Sequence, residues 1–245
     1  MAISAILFDK DGTLIDFHGT WGPTTYEVIN ALARGDAEAV RRQAEALHFS
    51  MRDKRFHPTS PIIAGSSASY GALWAGALNR TDLVELKREI DAMTAVESLK
   101  ALTPIGVPAD LVIALRARGL GVGVATNDSE ASALRQIDAL GLAPHLDFVA
   151  GYDSGHGGKP EPGMVLAFAK QLGIAASDVA MVGDSAHDMN AARAAGAVAI
   201  GVLSGPAGRE ELDECSDYIL NDIHELPTLI DDLRAAESKA RARTT

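Results

Sequence analysis

The sequence predicts an α/β fold in which a central parallel sheet lies between layers of helices and a helical segment is inserted after the first strand. Three observations lead to it. Short apolar runs rich in β-branched residues recur at 3–8 and then at Gly121–Ala125, 146–149, 179–182 and Val198–Val202, with a weaker run at Tyr218–Leu220. Continuous apolar strands are what a sheet covered on both faces requires. Between the later runs the pattern switches to helix. Ser129 stands as N-cap before a segment carrying Leu134, Ile137 and Leu140 that stops at Gly141, and Met164, Phe168 and Leu172 share a face that stops at Gly173. Finally, residues 21–99 carry several helical patterns and no convincing strand.

Within that stretch Thr81 reads as an N-cap, and Leu83, Leu86, Ile90 and Met93 then fall on one core-packing face. Thr103, Pro104, Gly106 and Pro108 mark the return to the α/β body. The expected division is a core of residues 1–16 and 101–245 and an all-helical cap of residues 17–100. A cap beside a parallel sheet invites a ligand cleft between them. There are no internal repeats. The polar end, with Lys239, Arg241 and Arg243, reads as a frayed terminal helix and not as a binding arm.

Composition narrows the partners. The 245 residues include 22 Lys plus Arg against 33 Asp plus Glu, a net charge of −11, which disfavours nucleic acid and anionic membrane. A phosphate-bearing substrate would need local Lys, Arg or metal. The single cysteine, Cys215, excludes an internal disulfide framework and a four-thiolate zinc site, and fits a reduced compartment. No apolar run approaches a membrane span. The apolar start beginning at Met1 meets Asp9, Lys10 and Asp11 too early for a signal peptide, so a cytoplasmic location is expected. Oligomeric state leaves no signal in the sequence.

Familiar motifs fail one by one. Gly119, Gly121 and Gly123 lack the spacing of a dinucleotide loop, Gly158-Lys159 is followed by Pro160 where a P-loop needs Ser or Thr, and no Gly-x-Ser-x-Gly elbow exists. The seven His residues are scattered singly. What remains is a set of polar groups placed just after predicted strands, whose carboxyl ends converge on one crevice in such a sheet. Asp9 and Asp11 follow the first strand, and Thr126, Asn127 and Asp128 the second. Lys159 sits in the Gly-rich loop after the third, and Asp184 and Asp188 follow the fourth. Crowded carboxylates repel, and a hard divalent cation with oxygen ligands, Mg²⁺, compensates them. A carboxylate beside Mg²⁺ and Lys is then poised to attack phosphorus.

The segments Phe8-Asp9-Lys10-Asp11-Gly12-Thr13-Leu14, Ala125-Thr126-Asn127, Lys159-Pro160-Glu161-Pro162 and Gly183-Asp184-Ser185-Ala186-His187-Asp188 resemble, in order and spacing, the four motifs of the haloacid dehalogenase superfamily in its phosphatase branch. The resemblance implies a Rossmann-like three-layer core with the first strand central, between the second and fourth. It implies Asp9 as nucleophile forming an aspartyl-phosphate, Asp11 as general acid and then base, and Lys159 orienting Asp9. The Thr126 hydroxyl and the Asn127 backbone N–H would bind phosphoryl oxygens. The carboxylates of Asp9 and Asp184 and the backbone carbonyl of Asp11 would hold Mg²⁺, with Asp188 supporting from behind. Lys10 departs from the pattern, where an apolar residue is commoner; neighbouring side chains on an extended segment point opposite ways, so the chemistry is expected to be undisturbed.

An inserted helical cap of this size looks like that of phosphoglycolate phosphatases, which implies a small phosphorylated metabolite as substrate. Arg52, Lys54 and Arg55 form the main basic cluster of the cap and are candidates to reach a substrate carboxylate or second phosphate. Other readings stand beside these. A β-phosphoglucomutase-like phosphotransferase shares both aspartates, and a catalytically silent binding protein could share the fold. Read alone, Asp-x-Asp-Gly is turn chemistry, and Thr126 or Asp184 could each cap a following helix.

Overall fold

The computed structural model describes residues 3–63, 65 and 67–242. In chain order, strand β1 (Ala5–Phe8) is followed by helices α1 (Phe17–Ala33) and α2 (Ala37–Ala46), short strands β2 (Phe49–Ser50) and β3 (Arg55–Phe56), and helices α3 (Ser67–Ala77) and α4 (Leu83–Lys100). Then come α5 (Pro108–Ala117), β4 (Gly121–Ala125), α6 (Glu130–Ala139), β5 (Phe148–Ala150), α7 (Gly163–Leu172), β6 (Val179–Gly183), α8 (Ala186–Ala195), β7 (Val198–Val202), α9 (Arg209–Asp213), β8 (Tyr218–Leu220) and α10 (Leu226–Ala242).

β1 lies at the heart of a parallel sheet of order β5-β4-β1-β6-β7-β8, paired with β4 on one side and β6 on the other. Its four residues are all buried because the sheet is covered twice. Ile6 and Phe8 point to the face closed by Leu111 and Leu115 of α5, Ile137 of α6 and Ile230 of α10. Ala5 and Leu7 point to the other, closed by Phe168 of α7, Met189 of α8 and Leu212 of α9. After β5 the chain crosses to β6 on the far side of β1, so the order reverses there and a crevice opens at the strands' carboxyl ends.

Gly123 is a tight point of the second face: a Cβ there would lie 2.9 Å from the Phe168 ring and 3.1 Å from Leu7. The glycine therefore serves helix-on-sheet packing. The expected helix ends at Ser129, Gly141 and Gly173 are found; Ser129 accepts from the Ser132 N–H, and Gly173 closes α7 at φ 68°. Thr81 does not cap α4. That helix starts at Leu83 after Asp82, whose carboxylate is held by Arg80 (2.9 Å) and leaves the backbone uncapped. Leu86 and Ile90 are buried as the periodicity requires, whereas Leu83, in the first turn, is 43% exposed.

Residues 17–100 gather around an apolar cluster of their own, with Phe17, Val28, Phe49, Phe56, Trp74, Leu86 and Ile90. Gln43 ties three helices together: it accepts from the Trp74 indole (2.7 Å) and donates to the carbonyls of Ile29 (3.2 Å) and Ala39 (3.1 Å). The stretch is not wholly helical, because β2 and β3 form an antiparallel pair, Phe49 opposite Phe56 and Ser50 opposite Arg55. Two residues per strand are too few for any periodicity to register, and the pair is held by ring packing with Phe49 and Phe56 centroids 5.0 Å apart. The chain leaves the sheet and returns side by side: Asp16 N–H donates to the Thr103 carbonyl (2.8 Å) and Ile105 N–H to Leu14 (3.0 Å).

The polar C-terminal segment continues α10 to Ala242, and Arg243 lies outside the described residues. Among the described residues no helix is long and apolar enough to cross a membrane.

The crowding at Gly123 makes a stability prediction. Gly123→Val should destabilise the protein by about 1–3 kcal/mol, because the added methyls must displace the Phe168 ring. Urea denaturation measures this, and an unchanged midpoint would contradict the packing argument.

Candidate active site

Each expected polar group of the core follows the end of β1, β4, β5 or β6, within five residues except for Lys159, which is nine beyond β5, and these four strands are neighbours. Their loops therefore open onto one cavity of about 470 Å³, lined by Asp9, Asp11, Thr126, Asn127, Lys159, Asp184 and Asp188 among others.

Lys159 is the centre of charge. Its ammonium pairs with Asp9, lies 2.6 Å from Asp188 and donates to the Ala125 carbonyl at 2.9 Å. Burial alone would disfavour that charge, but Asp188 and Asp9 outweigh it and raise the lysine pKa. The backbone of Lys159 is gripped by the Asn127 side chain, which accepts its N–H (2.9 Å) and donates to its carbonyl (3.0 Å). The sequence reading used only the Asn127 backbone; the clamp needs a side chain that both donates and accepts.

Oxygens of Asp9, Asp184 and Asp188 lie within 4.8 Å of one another, and all three residues are buried. Burial pushes the Asp9 carboxyl up to about 7 against the pull of Lys159, with Asp188 and Asp11 adding to the rise. Burial, then Asp9 and Asp188, likewise hold the Asp184 carboxyl well above its ordinary range. Hard oxygen donors crowded at this cost are the set a divalent cation such as Mg²⁺ suits. Two glycines make room for it: a Cβ at Gly12 (φ 87°) or at Gly205 would overlap the Asp184 carboxylate. Ser204 fixes the same turn by donating to the Gly12 carbonyl at 2.7 Å. Asp184 does not cap α8. Ser185 and Asp188 form that capping box, the Asp188 carboxylate accepting from the Ser185 N–H (3.1 Å) and hydroxyl (2.6 Å).

Asp11 faces the cavity with its side chain 17% exposed. One oxygen accepts from the Trp21 indole N–H (2.5 Å) and from the Lys10 ammonium (2.7 Å), the other from the Thr126 hydroxyl (3.2 Å). Thr126 also accepts from the Asp128 N–H (3.0 Å) and does not cap α6, where Ser129 serves.

Lys10 does not stay clear of this chemistry. Its ammonium is wholly buried and meets Asp11, Gln136 (2.6 Å), Asp128 (3.3 Å) and the Trp21 ring face (5.2 Å). Burial opposes its charge, and Asp11 and Asp128 restore it and raise its pKa. The Asp128 carboxyl, 3.3 Å away, is raised chiefly by burial, with Lys10 opposing. The two-residue step between Asp9 and Asp11 spans a turn, so the second carboxylate swings back toward the lysine; alternation holds only within the strand.

The basic cluster of Arg52, Lys54 and Arg55 does not line the cavity. It sits on the β2–β3 turn and the first residue of β3, Arg52 and Arg55 in solvent and the Lys54 ammonium over the Tyr26 ring at 4.0 Å. The Lys54 carbonyl packs where Gly22 has no side chain, which turns the cluster away.

Residues 3–196 match the model of the haloacid dehalogenase-like hydrolases. The chain belongs to that family. Over 241 residues this hydrolase is 31% identical to a phosphoglycolate phosphatase of Chromobacterium violaceum, covering 93% of the chain and 96% of that protein. A phosphoglycolate phosphatase of Escherichia coli is 35% identical over 119 residues, 48% of the chain, and that match spans about half (47%) of the relative's own length. The crystal structure of a "predicted phosphoglycolate phosphatase" from Haemophilus somnus superposes with a TM-score of 0.71 at 19% identity, covering 93% of this chain and 97% of that one, a likeness of fold.

The Lys10 network carries a prediction for this hydrolase. Lys10→Met leaves Asp128 buried without its cation and should cost about 3–5 kcal/mol of stability, and a further Asp128→Leu should recover much of it. Chemical denaturation of both variants checks this, and a neutral single variant would contradict it.

Proposed function

We propose that this hydrolase releases inorganic phosphate from small phosphomonoesters through a phosphorylated Asp9. The observation that carries the reading is the Asp9 carboxylate itself, which lies at the floor of a cavity, held by Lys159 and surrounded by two further buried carboxylates. In this reading an Asp9 oxygen attacks phosphorus, the ester P–O bond breaks, and Asp11 gives its proton to the departing alcohol oxygen. Asp11 then takes a proton from water as the water attacks phosphorus, the bond from phosphorus to Asp9 breaks, and phosphate leaves. Lys159 keeps Asp9 aimed and, with the Thr126 hydroxyl and the Asn127 N–H, offsets negative charge on the phosphoryl oxygens. Asp9 and Asp184, with the Asp11 carbonyl and with Asp188 behind them, would hold Mg²⁺. Bound there, the ion would neutralise phosphoryl charge. The helices of residues 17–100 act as a cap that excludes water from the attack, since Trp21 reaches from α1 to Asp11.

Several features support this over transfer to a second sugar hydroxyl or a silent binding role. Against a silent role, every position the chemistry needs is filled; against transfer, which would use the same aspartates, relatives matching most of the chain carry phosphatase names. Free phosphate measured over a panel of esters, with and without Mg²⁺, tests the reading; isomerised ester without free phosphate would favour transfer.

Asp9→Asn should abolish turnover of every ester. Asp11→Asn should lower alkyl phosphate hydrolysis by about 10²–10⁴-fold while sparing nitrophenyl phosphate, whose leaving group needs no proton. Equal losses on both esters would contradict the acid role. Mg²⁺ at a hundredfold excess over its dissociation constant should stabilise the folded chain by about 2.7 kcal/mol, seen as a higher thermal midpoint, and Asp184→Asn should remove the effect.

A further inference from the structure

The cavity has two chemically distinct ends. The floor holds the aspartates and Lys159. The opposite wall, supplied by the inserted helices and the loop after β5, presents Phe17, Trp21, Ile62, Ile63, Tyr70 and Tyr152. Tyr70 lines this wall with its ring 6.1 Å from that of Trp74, which is itself buried among the inserted residues.

Cations are the telling part. Among the described lining residues Lys159 is the one lysine or arginine, and its ammonium is committed to Asp9, Asp188 and the Ala125 carbonyl. Lys10 lies behind the wall on Asp11, Gln136 and Asp128. Lys87 lies behind it too, donating to Asp91 (2.8 Å) and to the Tyr152 hydroxyl (2.5 Å). The Arg52, Lys54 and Arg55 cluster is outside. Ala64 and Ser66, beyond the described residues, carry no charge. A substrate carboxylate against this wall would therefore lose its water to apolar rings and the acidic Asp91, Asp128 and Glu211, with no lysine or arginine in exchange; His187, the histidine among the described lining residues, stands in the first turn of α8 next to Asp188 of the floor. A substrate amine fares no better, because Asp91 and Asp128 already have their lysines and Glu211 stands exposed in solvent on α9, where an ion pair is worth little.

We infer that the ester group of the substrate is uncharged and largely apolar, an aryl or branched alkyl phosphate seated against Trp21 and Tyr70, and not a carboxylate-bearing ester of the phosphoglycolate kind. The inference rests on the phosphatase reading for its phosphoryl end and on the cavity wall for the rest.

Paired non-hydrolysable probes separate the two. Benzylphosphonate and 4-carboxybenzylphosphonate are titrated calorimetrically into the full chain with Mg²⁺, and phosphate release is measured from the matching benzyl phosphates. The neutral phosphonate should bind about tenfold or more tightly than the carboxylate, with the difference in turnover falling on KM. Ile63→Arg, which sets a guanidinium in the wall, should narrow that ratio to about threefold or less. Equal binding of the two probes, tighter binding of the carboxylate, or no binding of the neutral one overturns the inference. Preferential binding of the neutral phosphonate with no phosphate released from any ester would instead sink the phosphatase reading and leave the cavity's preference standing.

Discussion

The arrangement turns on one buried ammonium. Asp9, Asp184 and Asp188 could not be brought out of water so close together without compensation, since each carboxylate raises the cost of ionising the next. Lys159 supplies that compensation from below the cavity, where it spans Asp9, Asp188 and the end of β4. Because its backbone is clamped by Asn127 from the next loop, the ammonium cannot drift from the strand ends. All four strand-end loops are thus bound to one another by a single side chain and its support, and the third carboxylate, Asp184, is admitted by glycines that leave it space.

A second cation, Lys10, does for Asp11 what Lys159 does for Asp9. It joins the first strand's loop to α6 through Gln136 and Asp128, and it shares Asp11 with Trp21. Trp21 belongs to the inserted helices, so a movement of those helices against the sheet is felt directly at the carboxylate proposed to move protons.

The inner strands were readable because they are buried on both faces and so spell continuous apolar runs; the weaker run at Tyr218–Leu220 became β8, an edge strand whose Tyr218 is exposed. The groups at the strand ends were readable because chemistry demands those residue types there. The β2–β3 pair was not, being two residues long on each side, and neither was the start of α4, where Arg80 draws Asp82 away from capping. Lys10 and Trp21 carry no local signal of their meeting. Their spacing suggests neither strand nor helix neighbours, and only the turn between Asp9 and α1 brings them to the same carboxylate.

By itself the sequence determined the α/β class, the interruption after the first strand and the inventory of reactive groups, since these follow from local periodicity and from which residue types end each strand. Tertiary structure alone decided where the long side chains go. A lysine or arginine reaches several ångströms from its backbone, and its destination is chosen by partners on distant segments: Gln136 and Asp128 draw Lys10 inward, while Tyr26 and the close approach at Gly22 turn Lys54 away. For that reason Arg52, Lys54 and Arg55, conspicuous along the chain, are missing from the described residues of the cavity wall, and the apolar side chains found there became visible only when the helices were packed.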